Sequence, residues 1–460
     1  MTEFFVHRTQ HAVGQGGFHM ANITLNNQNF RYIYDCGSKN KSVIPSVLTQ
    51  LCPTVEEKKI DWLVISSFDL DHFNGVGKLL DAGYTFNKVF LPHRLSKKFH
   101  VWLLCIYILR GLTTKDILMA FKILNYLDSL PKDNESQPSL VQKIATIETT
   151  PVKGVTYEVL NYDWVLRFYS LEHNFENAVN ELLNGKDFDD LRTLVDKAGN
   201  LLKPLHLKMN DVAATGLATD ILREIAVVLK NPPNSQTGAA ANPSSAAGGA
   251  DTIAGAASGA DAAAPTPVKT RSGDSVKKLL SKAYENLKEN ETKIFPDYNS
   301  VSLCMYSGPR SAIGKTYCQF KLTYYGGAAP SLSQHDRTGR TVGWLGLGDI
   351  GFSTPTELDL FSRYYRANLS VTATRTVPHH GSQSSYGKDL VRLKPFLTLG
   401  AENPVWIAAA NPLASYRHPD GIVVIECGNY GEFRLVAENP DESIDEFIHG
   451  IQPLPMSIFS

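Results

Sequence analysis

The sequence lacks cysteines at the spacing of a zinc knuckle or of a disulfide framework. Its six cysteines are scattered along 460 residues, and no two of them form a Cys-X-X-Cys pair. It also lacks a secretion signal, because the first residues, MTEFFVHRTQH, contain no hydrophobic segment followed by small residues. Together these absences predict a protein of the reducing cytoplasm without structural disulfides.

Long hydrophobic runs and an excess of one charge are absent as well. The longest apolar stretch, residues 101–109, is too short to cross a bilayer, so we expect no membrane association. The 45 basic and 46 acidic side chains give a formal net charge of -1, which predicts no general attraction to nucleic acid, although a local basic groove would be compatible with it. Apolar residues make up 43% of the chain, enough for a large buried core.

The most informative stretch is SSFDLDHFNG, residues 66–75. It follows the apolar residues 62–65, which have the branched and aromatic character of a buried strand. Asp69, Asp71 and His72 lie close together in it, and carboxylate and imidazole groups at this density can converge on one metal ion. The acidic residues would also suit a helix start, where Asp is common, so this stretch alone leaves both interpretations open.

Asp or His follows an apolar, strand-like run at several distant places in the chain. In layered α/β folds the ligand site lies at the carboxyl ends of the strands, so this recurrence predicts one composite site. The residues concerned are Asp35, Asp71 with His72, His173, Asp349, His379 with His380, and Arg417 with His418.

Two metal positions can be built from these residues. Asp71 and His72, with one of His379 and His380, would form the first, and the other histidine would orient its neighbour. A metal ion held there would lower the pKa of a bound water from about 15.7 to about 7 and so supply hydroxide at neutral pH.

The second metal position would use Asp69, Asp349 and His173. The carboxylate of Asp349 suits a bridge between two ions, because a hard oxygen can bind both. His173 would serve equally well as a polar residue at a helix N-terminus, so its role as a ligand is one of two interpretations.

Arg417 and His418 offer catalytic rather than metal-binding groups. They could hold or protonate an oxyanion in the product, although His418 could also be a loop histidine with an ordinary hydrogen bond. With Asp71, which would both bind metal and take part in catalysis, they form the predicted catalytic set.

The chain divides into core segments and two helical insertions. Residues 96–150 and 174–298 have a largely helical composition. Residues 231–272, within the second insertion, consist mainly of Ala, Gly, Ser, Pro and Thr, which predicts a disordered tether. We expect the remaining strand-rich segments to form one domain made of residues 1–95, 151–173 and 299–460.

Six stretches carry a resemblance to a known family. AVGQGG, YIYDCGS, SSFDLDHFNG, GLGDIG, VPHHGSQSS and SYRHPD resemble, in this order, the metallo-β-lactamase fold superfamily, in its branch similar to the hydrolase domain of bacterial DNA-uptake (ComEC-like) proteins. The resemblance covers residues 10–95, 150–175 and 300–430. It implies an α/β fold, an αββα sandwich of two sheets faced by helices, with metal ions at one edge of the sheets.

The sequence departs from this family at Ser67. The family's first motif reads His-X-His-X-Asp-His or His-X-Asp-X-Asp-His, and Ser67 stands where the leading histidine is expected. That metal position therefore loses an imidazole and becomes rich in oxygen, which favours Mn²⁺ or Mg²⁺ over Zn²⁺, or weak occupancy. The resemblance implies that the other position, from Asp71, His72, Asp349 and a C-terminal histidine, is complete. The expected cofactor is one or two ions of Zn²⁺ or Mn²⁺.

Three functions are compatible with these residues. The first is metal-dependent hydrolysis of phosphodiester bonds in a nucleic acid or nucleotide substrate, which the resemblance implies. The second is a catalytically reduced scaffold or binding protein that contacts a protein partner through the helical insertions, which the loss of the histidine at Ser67 favours. The third is hydrolysis of small esters, thioesters or lactams, because the same fold supports it.

Overall fold

The computed structural model describes the strands and helices that carry the candidate site. The described residues are 2–51, 54–92, 103, 107, 112, 114–130, 141–149, 152–160, 163–171, 302–310, 317–324, 337–339, 341–413 and 417–452. They form an α/β structure with two mixed eight-stranded sheets.

The first sheet contains the first five strands of the chain and three later ones. Its strands are β1 (Thr2–Gln10), β2 (Gly16–Leu25), β3 (Gln28–Ser38), β4 (Lys59–Val64), β5 (Thr85–Phe90), β10 (Tyr317–Tyr324), β11 (Arg337–Gly339) and β16 (Ile444–Gln452). They lie in the order β11-β10-β16-β1-β2-β3-β4-β5. Strands β3, β4 and β5 are parallel to one another, so their carboxyl ends share one edge of the sheet.

The second sheet contains the other eight strands. They are β6 (Val141–Thr149), β7 (Val152–Val159), β8 (Trp164–Leu171), β9 (Cys304–Pro309), β12 (Gly343–Gly346), β13 (Thr372–Thr376), β14 (Val405–Ala409) and β15 (Glu432–Val436). Their order is β15-β14-β13-β12-β9-β8-β7-β6, and β12 to β15 are parallel. Strand β8 pairs with β9 in antiparallel fashion although a long segment separates them in sequence.

Seven α-helices with bounds in the described chain pack with these sheets. They are α1 (Val43–Leu51), α2 (Leu70–Phe73), α3 (Val76–Asp81), α4 (Thr114–Ser129), α5 (Pro355–Leu369), α6 (Leu393–Leu397) and α7 (Gly421–Asn429). Helix α5 begins with a capping box, in which Thr354 accepts from the Glu357 backbone and the Glu357 side chain accepts from the Thr354 backbone.

Three clusters of buried side chains hold the layers together. On β8, Trp164, Leu166 and Phe168 enter a cluster to which both sheets contribute. The alternate residues Val165 and Tyr169 enter a second cluster with side chains of α5, α6 and α7. A third cluster joins the first sheet to α1, α3 and α4. The two-residue period of a strand explains why one segment can supply two cores.

The helical structure predicted for the end of the first insertion is wrong, because that segment is a strand. The helical insertion was expected over residues 96–150, whereas residues 141–149 form β6 and pair with β7. The segment contains Ile144, Thr146, Ile147 and Thr149, whose branched side chains favour an extended strand over a helix. Helix α4, in the same interval, agrees with the expected helical content.

Several predictions fall on residues outside the described part of the chain. These are the whole second helical insertion, residues 174–298, with its tether at 231–272, and His173. Among the described cysteines, Cys36, Cys304 and Cys427 are buried and free. No helix within the described ranges is long and apolar enough to span a membrane.

Candidate metal centre

The ends of four strands bring the predicted site residues together. Asp35 lies near the end of β3, and Asp71 with His72 lies in α2, just after β4. Asp349 follows β12 and His380 follows β13 in the other sheet. Because β3 and β4 are parallel neighbours, as are β12 and β13, each sheet presents its carboxyl edge to the site.

Two glycines allow the backbone to come close enough for this arrangement. A Cβ atom on Gly37 would lie 2.5 Å from the carbonyl carbon of Asp71, so β3 and α2 can touch only without a side chain there. Gly348 has a φ of +54°, and a Cβ atom there would lie 2.6 Å from Ser66 Oγ. The GLGD turn therefore holds Asp349 directly against the end of β4.

His72 is fixed between two buried carboxylates. Its Nδ1 lies 2.8 Å from Asp35 Oδ2, and its Nε2 lies 3.0 Å from Asp349 Oδ1. Asp35 is itself held by the backbone N and the hydroxyl of Ser66, both of which donate to it at 2.6 Å. Burial alone would lower the pKa of His72, but the charges of Asp349 and Asp35 outweigh burial and raise that pKa well above its usual value.

His380 approaches the same point from the second sheet. Its Nδ1 donates to the carbonyl oxygen of Ala409 at 2.8 Å, so Nε2 is the ring nitrogen left to bind a ligand. This Nε2 lies 3.4 Å from Asp71 Oδ2 and 3.7 Å from Asp349 Oδ1. The backbone of Ala409 therefore points the nitrogen toward both carboxylates.

The convergent atoms fit a metal ion. Ligand atoms of Asp71, His72 and His380 all lie within 4.8 Å of one another, and all three residues are buried. His72 Nε2, His380 Nε2 and Asp349 Oδ1 are in contact at ion-pair distances, yet none of them has a partner with hydrogen-bond geometry in the described structure. Buried polar atoms without hydrogen bonds are unfavourable unless a cation satisfies them. Two imidazoles and two carboxylates are a donor set of the kind that Zn²⁺ and Mn²⁺ accept.

Of the residues predicted for a second metal position, Asp349 belongs to this group, Asp69 does not, and His173 lies outside the described part of the chain. Asp69 is buried at the start of α2, and its backbone N donates to Ser67 Oγ at 3.2 Å. The backbone N of His379 donates to Gly348 O at 2.9 Å, and its ring lies beside that of His418, with centroids 5.8 Å apart. Of the two neighbouring histidines, it is His380 that reaches the convergent group.

The loop that carries His418 is attached to the loop that carries His380. The backbone N of Asp420 donates to Gly381 O at 3.0 Å, and Gln383 N donates to Asp420 Oδ2 at 2.8 Å. His418 is largely buried beside them, and burial, with a smaller effect from His379, lowers its pKa. Arg417 is exposed at the same loop. His418 is therefore placed at the margin of the group with a neutral ring.

Several of the predicted site residues have left-handed backbone conformations. The φ angles are 59° for Asp35, 47° for His379, 56° for His380 and 51° for Arg417. Such conformations are uncommon for residues other than glycine and cost about 1–3 kcal/mol each, and they cluster at functional sites. Strain at these positions agrees with a site whose geometry is maintained by its surroundings.

Sequence reasoning missed two residues of this region. Lys39 follows β3, and its Nζ lies 3.3 Å from Asp71 Oδ1. Burial raises the pKa of Asp71, but Lys39 and His380 outweigh burial and leave it below the usual range. The only signal for Lys39 was its position shortly after Asp35 in YIYDCGSK, which is unremarkable for a lysine at a strand end.

His19 is the second missed residue. It is buried on β2, stacks on Trp344 with ring centroids 4.0 Å apart, and lines a cavity of about 40 Å³ together with His72 and His380. Neither of its ring nitrogens has a hydrogen-bond partner in the described structure, and burial lowers its pKa well below the usual value. No motif contains His19, so the sequence offered no signal for it.

Acidification is expected to destabilise the protein through His11. This residue is buried, and burial lowers its pKa from 6.5 to about 4, with Asp445 opposing the shift and His7 adding to it. Between pH 6.5 and 4 the unfolded chain binds a proton at His11 and the folded protein does not. The contribution of neutral His11 to the free energy of unfolding is therefore fully present above pH 6.5 and is lost as the pH falls toward 4. Thermal melts across this range should show a shallower pH dependence for His11→Gln. His449→Gln serves as control, because that side chain is partly exposed, and an equal slope for both variants would refute the assignment.

The resemblance to the metallo-β-lactamase superfamily stays a prediction, and the geometry of the donor atoms is the basis for proposing a function. No protein-family model matches the chain, and no curated protein matches it either.

Proposed function

We propose that the protein is a metal-dependent hydrolase of phosphodiester bonds, a nuclease or a nucleotide phosphodiesterase, built on the αββα metallo-β-lactamase architecture. The observation that carries the proposal is the convergence of Asp71, His72, Asp349 and His380 at the edge of two sheets. Zn²⁺ or Mn²⁺ is the proposed cofactor, with one fully formed position.

The chain's own residues would prepare this site for hydrolysis. Asp35 orients His72, and Ala409 orients His380, so both imidazoles present Nε2 without rearrangement. A bound metal ion would supply Lewis acidity and an activated water. His418, largely buried at the margin with a neutral ring, would hold the developing oxyanion through its ring N–H. The phosphodiester class is the one that the six resembling stretches imply.

Metal content and a substrate panel test this proposal. The purified full chain should retain close to one Zn²⁺ or Mn²⁺ per molecule after dialysis. With added Mn²⁺ it should hydrolyse single-stranded DNA, RNA or bis(p-nitrophenyl) phosphate faster than thioester or lactam substrates. Absence of bound metal would refute the proposal, and a preference for thioesters or lactams would replace the phosphodiester class with the third alternative.

A second candidate is a scaffold that keeps one structural metal, and Ser67 favours it. This buried serine accepts a hydrogen bond from the backbone of Asp69, where the family would place an imidazole ligand. In that case the predicted helical insertions would contact a protein partner. The first candidate is preferred because Asp71, His72, Asp349 and His380 are all in place.

Ser67→His distinguishes the two candidates. In a working hydrolase with a depleted second position, the new imidazole beside Asp69 should raise metal content toward two ions, and activity with Zn²⁺ should rise or the metal preference should shift. Ser67→Ala is the matched control, because it leaves the position without an imidazole. A second bound ion without any turnover would favour the scaffold, because the residues that position a substrate would also be missing.

A further inference from the structure

Lys39 is the one described lysine that contacts the candidate metal centre, and it reaches the site from solvent. Its side chain is 41% exposed, whereas Asp71, whose Oδ1 lies 3.3 Å from Lys39 Nζ, is 3% exposed. The ammonium group therefore stands at the boundary between water and the buried carboxylate. A substrate that enters from solvent would meet it before it meets the ligands.

Hydrogen bonds on both sides of Lys39 fix the position of its backbone. Asn74, which follows α2, accepts from the backbone N of Ser38 at 3.0 Å and donates to the Ser38 carbonyl at 2.7 Å. The backbone N of Lys39 donates to Gln15 O at 2.8 Å. The two Asn74 bonds attach the end of β3 to the end of the helix that carries Asp71, so the lysine keeps its place relative to that carboxylate.

The two oxygens of Asp71 face different partners. Oδ2 faces His380 and the convergent ligand group, whereas Oδ1 faces Lys39. A lysine ammonium is a compact point charge that binds phosphate oxygens well, and its long stem lets it move a few ångströms. Its charge would also oppose the binding of a second divalent cation at Asp71 Oδ1.

We propose that Lys39 is the anion-binding residue of this site, which takes one divalent metal ion and one ammonium group and binds a phosphoryl group between them. This inference rests on the proposed function and adds to it the residue that holds the substrate's charge. Before metal binds, Lys39 neutralises Asp71. Once a cation shares that carboxylate, the ammonium group is available to an anionic oxygen of the substrate.

Calorimetric titrations of the full chain with Mn²⁺, and of the Mn²⁺-loaded protein with inorganic phosphate, test the inference. Lys39→Met should bind Mn²⁺ more tightly, because a competing charge is gone, and should bind phosphate about tenfold or more weakly. Lys39→Arg, which keeps the charge, should retain most of the phosphate affinity. Lys41→Met is the matched control, because this neighbouring lysine pairs with Asp116 instead.

The two titrations separate the failure of this inference from failure of the proposed function. Phosphate affinity unchanged in Lys39→Met, or Mn²⁺ binding weakened by it, would overturn the role of Lys39 while the metal site stands. Wild-type protein that binds no Mn²⁺ or Zn²⁺ would overturn the proposed function itself. Far-ultraviolet circular dichroism of each variant checks that the fold is kept, which the exposure of the side chain leads us to expect.

Discussion

Asp349→Asn is expected to lower metal affinity at least about 100-fold and to abolish hydrolysis. Residues that only hydrogen-bond to a ligand usually cost about 10- to 100-fold in metal affinity when replaced, and a direct ligand should cost more. Asp349 Oδ1 lies 3.0 Å from His72 Nε2 and 3.7 Å from His380 Nε2, so its charge faces both imidazoles. An amide keeps the volume of the side chain but removes that charge. Metal content and phosphodiesterase activity of the purified variant provide the measurement.

The control for this variant is Asp359→Asn, on the exposed face of α5. Asp359 pairs with Arg363 in solvent, so its replacement should change neither metal content nor activity. Hydrolysis that survives in Asp349→Asn would show that the activity comes from another site or from a contaminant. Loss of metal binding in both variants would instead indicate damage to the fold.

Glu446→Ala is expected to destabilise the protein by about 3–5 kcal/mol, the loss typical when one partner of a buried ion pair is removed. Glu446 Oε2 lies 3.0 Å from the Nε of Arg8, and both side chains are buried. Arg8 also donates to Val342 O at 2.9 Å, and Thr374 donates to Glu446. This network connects β1 and β16 of the first sheet to the second, so the variant would leave an uncompensated guanidinium between the sheets.

Chemical denaturation of three variants tests this assignment. The double variant Arg8→Met with Glu446→Leu should recover most of the lost stability, because apolar side chains of similar volume can replace a buried ion pair. Asp359→Ala, which breaks an exposed pair on α5, should change the free energy of unfolding by only about 0.5 kcal/mol. A loss of less than about 1 kcal/mol in Glu446→Ala would mean that water reaches the pair.

Strands can be predicted from the sequence where apolar residues alternate with polar ones or form a continuous run. Strand β16 has neither pattern, so it could not be predicted in this way. The buried face of β16 carries the charged Glu446 between Ile444 and Ile448, while Phe447 on the opposite face is 40% exposed. The expected alternation of apolar and polar residues is therefore broken at both faces. Burial of Glu446 depends on Arg8, at the other end of the chain, which no local pattern can show.

In the candidate site, too, some residues could be predicted from the sequence and others could not. Asp71, His72, Asp349 and His380 were predictable because each follows a strand, and strand ends share an edge. The choice of His380 over His379 was not, because it depends on a hydrogen bond to the backbone of β14. Lys39 likewise becomes part of the site only through a contact in three dimensions.

The pairing of β8 with β9 allows the segment between them to vary in length. The chain leaves the second sheet at Leu171 and returns at Cys304, yet Tyr169 and Cys304 are cross-strand neighbours, as at the two ends of a tight hairpin. Because closing a longer loop adds free energy only with the logarithm of its length, the segment between these strands can lengthen, shorten or be exchanged with little effect on the sheet. Relatives of this protein could therefore carry different modules at that point, and an engineered one could be grafted there, without moving the ligands.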